Sequence, residues 1–187
     1  MPAMRFFAVI RSLLVLMLLA PAPLVAADYA DRAALDQLFE QLHEAPDETA
    51  AAAITGKIWD LWMTPTDSAL AVEMGTVLAA ETRGDFGTCL RLLDRMVVEY
   101  PDYAEGWNRR ATIYYLLDNF EGSLADIDKV LAIEPRHFGA LSGKIMIELR
   151  QGKRNDALRD MLAALAIHPY LSTRELFPEL QPSVTNI

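Results

Sequence analysis

Apolar residues recur at helical spacing along most of this 187-residue chain, and polar turn phrases interrupt them at regular intervals. From Asp28 to Glu44, Leu35, Leu38, Phe39 and Leu42 share one face and predict an amphipathic helix that ends before Pro46. Asp47 is placed to cap a second helix, on which Ile54, Ile58, Leu61 and Trp62 line one side and Trp59 widens the stripe. Thr64-Pro65-Thr66-Asp67 reads as a turn and restart. Beyond it Pro101, Pro135 and Pro169 stand 34 residues apart, closing the phrases Val98-Glu99-Tyr100-Pro101, Ala132-Ile133-Glu134-Pro135 and Ala166-Ile167-His168-Pro169. Between the prolines a turn phrase repeats in register: Arg83-Gly84-Asp85-Phe86, Asp118-Asn119-Phe120 and Gln151-Gly152-Lys153. The pattern predicts three helix-turn-helix units, 70–103, 104–137 and 138–171, within a region 65–171.

The second helix of each unit keeps its inward row throughout. Cys89, Ser123 and Ala157 open the row, followed by Leu93, Ile127 and Met161 and then by Met96, Val130 and Ala164, with Leu90, Leu124 and Leu158 alongside. A small residue at the opening position lets two helices approach closely. The first helix varies more: Trp107 has Glu73 and Leu141 as counterparts, and Ala111 has Val77 and Ile145. The stretch Trp107-Asn108-Arg109-Arg110-Ala111 through Tyr114, with Ser123, Val130 and Pro135, resembles a tetratricopeptide repeat. The whole chain looks like a small exported bacterial member of that family.

The resemblance implies an all-α fold, a right-handed solenoid of antiparallel helix pairs. Residues 28–64 would form an N-terminal helical hairpin cap, a degenerate repeat, and 172–187 a C-terminal capping helix and tail with Ser172 or Thr173 as N-cap. It also implies a protein-interaction scaffold whose concave groove is lined by the first helix of each unit. Carried over position by position, the groove residues are Met74, Leu78, Asn108, Arg109, Thr112, Tyr115, Ser142, Met146 and Arg150. Methionine and leucine offer adaptable apolar contact there, and arginine can take a carboxylate. Some members clamp a chaperone's terminal carboxylate with Lys, Asn and Arg, but this chain holds Met74, Leu78, Arg109, Gly139 and Gly143 at those positions, so that mode is unsupported. Gly75, Gly139 and Gly143 either leave backbone open to a ligand or relieve helix packing.

Composition then narrows the setting. Arg5 and Arg11 precede the apolar run Ser12 to Ala20, followed by Pro21, Pro23 and the small-residue end Val25-Ala26-Ala27. This order is that of a secretory signal peptide over 1–27, too short in its apolar part for a membrane span. The expected product is periplasmic, with secretion as the alternative and no stable span after processing. Net charge is −9, and removing Arg5 and Arg11 makes the chain more acidic still, which disfavours nucleic acid and anionic lipid as partners. The single cysteine, Cys89, excludes an internal disulfide. It sits at the small-residue position and reads as core, with a reactive thiol as the alternative.

Catalytic signatures are missing from the sequence: no metalloprotease pair, nucleophile elbow, phosphate loop or dinucleotide fingerprint. His43, His137 and His168 lie far apart and read as solvated or capping residues, and the acid pairs Asp126/Asp128 and Glu73/Glu81 as solvated faces. We therefore expect no catalytic, metal or cofactor site. The expectation is a non-enzymatic adaptor for a protein or peptide partner. Its alternative is a structural subunit that associates through the convex face or the tryptophan-bearing N-terminal pair.

Overall fold

The computed structural model describes residues 30–180. The expected signal peptide and the last residues of the tail lie outside that range. Eight helices follow one another: α1 (Arg32–His43), α2 (Glu48–Met63), α3 (Ser68–Thr82), α4 (Phe86–Glu99), α5 (Ala104–Leu116), α6 (Phe120–Ile133), α7 (Phe138–Arg150) and α8 (Arg154–Ile167). No strand occurs among the described residues.

Side-chain caps start most of these helices. Asp31 accepts from the Ala34 N–H, Asp47 from Ala50, Asp67 from Ala69 and Leu70, Asp85 from Thr88, and Asn119 from Gly122. Each such cap is worth about 1 kcal/mol. Asp31 accordingly starts α1 at Arg32, later than the apolar spacing alone suggested. Inside each unit the turn places one residue at positive φ: Gly84 at 69°, Asp118 at 56° and Gly152 at 72°, each one repeat length from the next. Aspartate is among the few non-glycine residues that tolerate this region, which is why the middle unit manages without glycine.

From α3 to α8 consecutive helices pack as antiparallel pairs, so the chain is an all-helical solenoid. At the crossings of the first two pairs the small-residue position meets the backbone of the helix before it. The Ser123 hydroxyl donates to the Ala111 carbonyl at 2.8 Å, and Cys89 Sγ lies 3.7 Å from the Val77 carbonyl, twelve residues back in both cases. Cys89 is fully buried and burial pushes its thiol pKa up, so it is a packing residue.

The N-terminal pair has a position that the repeat pattern did not foretell. Instead of lying on α3, α2 runs along the ends of the repeats where one unit passes into the next. Trp62 accepts at its carbonyl from the Tyr103 hydroxyl, Trp59 meets Phe138 edge-on, Thr55 bonds His168, and the Ala45 carbonyl accepts from Tyr170. One buried cluster joins Leu35, Phe39, Ile58 and Trp62 to Phe138, Ile145, Met161 and Phe177. Fully burying a large apolar side chain is worth roughly 1.5–3 kcal/mol against about 1 for a hydrogen bond, so the aromatic contacts hold the pair and the polar ones orient it.

After α8 the chain forms two short 3-10 turns, Ser172–Leu176 and Pro178–Leu180. Neither Ser172 nor Thr173 caps the first: both lie within it, Leu171 takes the cap position, and the Thr173 hydroxyl bonds Ser142 at 2.9 Å.

Candidate partner-binding groove

The first helices of the second and third units, α5 and α7, flank a cavity of about 290 Å³. Asn108, Thr112, Tyr115, Ser142 and Met146 line it, together with Ala111, Leu116, Ile127, Gly139 and Gly143. One repeat length relates Glu105 to Gly139 and Arg109 to Gly143. The third unit thus carries two glycines where the second carries an ion pair, and the bulk missing from α7 leaves the slot open. Gly139 also touches α2, where a Cβ would come within 2.5 Å of the Trp59 ring. Gly143 meets only Ile127, at 3.4 Å, while Gly75 has nothing near it. Of the two readings of these glycines, packing applies to Gly139 and open backbone to Gly75.

Other expected groove residues are placed differently. Met74 is 1% exposed and belongs to the core of the first unit, and Leu78 packs against that core. Met74 is therefore a core residue and is not available to the groove. Arg109 is held inside the protein: Nε donates to Glu105 at 2.7 Å, and its NH groups reach Glu81 at 3.5 Å and the Met63 sulfur at 3.0 Å. Arg110 is fixed on Asp126 by two bonds of 2.8 Å and on Asp94 by a third of 2.9 Å. Both arginines are therefore paired with carboxylates of the protein itself. Arg150 differs, being 54% exposed on its side chain, above the Tyr115 ring at 5.0 Å, and paired with the exposed Asp118 at 3.2 Å. A surface pair of this kind contributes about 0–1 kcal/mol and exchanges partners readily.

A buried polar network adjoins the slot through Asn108. Glu105 accepts from Asn108 at 3.0 Å, from Arg109 and from His137 Nε2 at 3.1 Å. The Ala140 N–H donates to His137 Nδ1 at 3.1 Å, so the imidazole proton is on Nε2. Burial works against the Glu105 carboxylate, yet its bond to His137 and the charges around it hold its pKa below the usual range. His137 and Glu105 are 0% and 1% exposed. No substrate reaches this acid-histidine pair, which makes it a structural element: its imidazole caps α7 and donates to Glu105. Both His137 and His168 are buried, against the expectation of solvated rings, and His137 fulfils the capping half of it.

The same cross-hairpin ion pair appears twice. Arg110–Asp126 in the second unit corresponds to Lys144–Asp160 in the third, at 2.8 and 2.6 Å, with the partners sixteen residues apart in each. Among the described residues no group of three or more His, Cys, Asp or Glu is arranged to hold a metal ion. No helix among them is long and apolar enough to cross a membrane.

The sequence is 34% identical over 183 residues to a TPR repeat-containing protein of Rhizobium etli, with 90% of each chain covered. This chain belongs to the tetratricopeptide-repeat family. No model of a protein family matches it. The individual repeats depart from the common pattern, as Glu73 and Leu141 do at the position of Trp107. Tetratricopeptide proteins are in general scaffolds for protein interaction and are generally non-enzymatic.

Proposed function

We propose that this tetratricopeptide protein is a non-enzymatic adaptor of the bacterial envelope that holds a peptide or helix of a partner protein in its concave groove. The observation that carries the reading is the α5/α7 slot, whose lining includes no carboxylate, lysine or arginine in a chain of net charge −9. A concave, mostly apolar site with a few placed hydroxyl and amide groups suits recognition of a side chain. The periplasmic setting rests on the signal-peptide pattern of residues 1–27.

The tryptophans lend the structural-subunit alternative no support. Trp62 is buried and Trp59 is packed between the N-terminal pair and the third unit, so the tryptophans are engaged within the molecule. The test is photocrosslinking in intact cells from Tyr115 and Met146 in the groove and from Val98, exposed on α4. A recurrent product from the groove positions, recovered in the periplasmic fraction, supports the adaptor. Product from Val98 alone supports the structural subunit.

A further inference from the structure

We infer that the groove recognises a peptide segment carrying one large apolar anchor side chain beside one Asp or Glu carboxylate, with neutral or basic residues around them. This rests on the groove reading above and specifies what enters it. The slot of about 290 Å³ is bounded by Ala111, Ile127, Gly143 and Met146, and its floor is apolar. It lies near the lower limit for small-ligand pockets, which suits one bulky side chain rather than a run of them. Its walls present no charge that could receive a charged residue, so the anchor is aliphatic or aromatic. Tyr115 and the exposed Met146 and Leu116 form the rim, giving adaptable contacts around such an anchor.

The carboxylate is assigned by Arg150. Its guanidinium lies over the Tyr115 ring at 5.0 Å and near that of Phe120 at 6.0 Å, which orients it at the mouth of the slot. Arg109 and Arg110 are held by the nearly buried carboxylates of Glu105 and Asp126 and would have to leave a charge unpaired in the interior to bind a ligand. Arg150 needs only to exchange the solvent-exposed Asp118. The net charge of −9 repels a strongly acidic segment, so a single carboxylate among neutral or basic residues fits best.

The test uses a library of random peptides displayed with their C-termini fused to the carrier, selected on the full chain, with affinities of the winners measured by fluorescence anisotropy. The expected result is enrichment of Phe, Trp, Leu or Met at a fixed spacing from Asp or Glu. Gly143→Leu, which fills the slot, and Met146→Glu, at an exposed position that leaves the core intact, should each weaken binding at least about tenfold. Arg150→Glu should weaken the same peptides about tenfold and restore affinity when their acid is changed to Lys. Peptides that bind and are lost with Met146→Glu, yet carry no enriched acid and ignore Arg150→Glu, would leave the groove reading standing and overturn this inference. Peptides indifferent to both Gly143→Leu and Met146→Glu would overturn the two together.

Discussion

The imidazole of His137 lies flat on the indole of Trp62, with ring centroids 4.0 Å apart and planes 10° from parallel. The same imidazole caps α7 through Nδ1 and donates to Glu105 through Nε2, so one side chain joins the N-terminal pair, the second unit and the third. His137→Ala removes all three links and leaves a buried carboxylate with fewer donors. We expect a loss of about 2–3 kcal/mol, from removing a hydrogen bond to a buried charged group. His137→Asn retains a capping oxygen and should lose less. Urea denaturation of the three proteins checks this, and a change of less than about 0.5 kcal/mol for His137→Ala, the usual range at the surface, would contradict it.

Gly139 and Gly75 are both helical glycines, yet their substitutions should act in opposite directions. A Cβ at Gly139 meets the Trp59 ring at 2.5 Å, and that ring is confined by Trp62, His137 and Phe138. Gly139→Ala should destabilise by about 1–3 kcal/mol, as overpacking does, and shift tryptophan emission to the red as Trp59 is displaced. At Gly75 nothing lies within 4 Å. Gly75→Ala should stabilise by up to about 1 kcal/mol through helix propensity, without altering the emission. Thermal melts and fluorescence spectra of the two variants are sufficient.

His168 gives stability a dependence on pH. Its Nε2–H donates to the Thr55 hydroxyl at 2.9 Å, because that hydroxyl's own proton goes to the Ala51 carbonyl, and Nδ1 is buried without a hydrogen-bond partner. Burial lowers the His168 pKa from the ordinary 6.5. A depressed pKa means that the unfolded chain binds the proton first, so the contribution to stability is full above 6.5 and is lost as pH falls through the folded value. Glu105 and Glu134, whose pKa values are held below 4.5 despite burial, add a further loss at lower pH. Glu148, raised by burial and by Asp160, acts in the opposite sense. Urea midpoints measured from neutral into acid should decline in two stages. His168→Leu should remove the first stage and keep the second.

The repeats were legible because each is local: the prolines, the positive-φ turn positions and the small residues at the helix crossings all recur at one period. Asp47 was legible as a cap for the same reason. What escaped the sequence depends on contacts between distant segments. Thr55 meets His168 and Ala45 meets Tyr170, 113 and 125 residues away, and no period relates these positions. Which groups engage Arg109 was hidden similarly, since its partners include Glu81 and Met63 from two other helices. Analogy of position places Met74 in the groove, but its burial is a property of the packed unit. The pairing of Gly139 and Gly143 with Glu105 and Arg109 across one repeat length was the one signal of the slot available beforehand.

Ordinary repeat arrays touch only their neighbours and can gain or lose a unit with little effect on the rest. The bond from Tyr170 to the Ala45 carbonyl ends that freedom, because it ties the segment before α2 to the segment after α8. An inserted repeat would carry the two ends apart by the thickness of a helix pair and strip the aromatic cluster from its partners. Three units are therefore a closed number in this protein, and its length is set by the reach of α2.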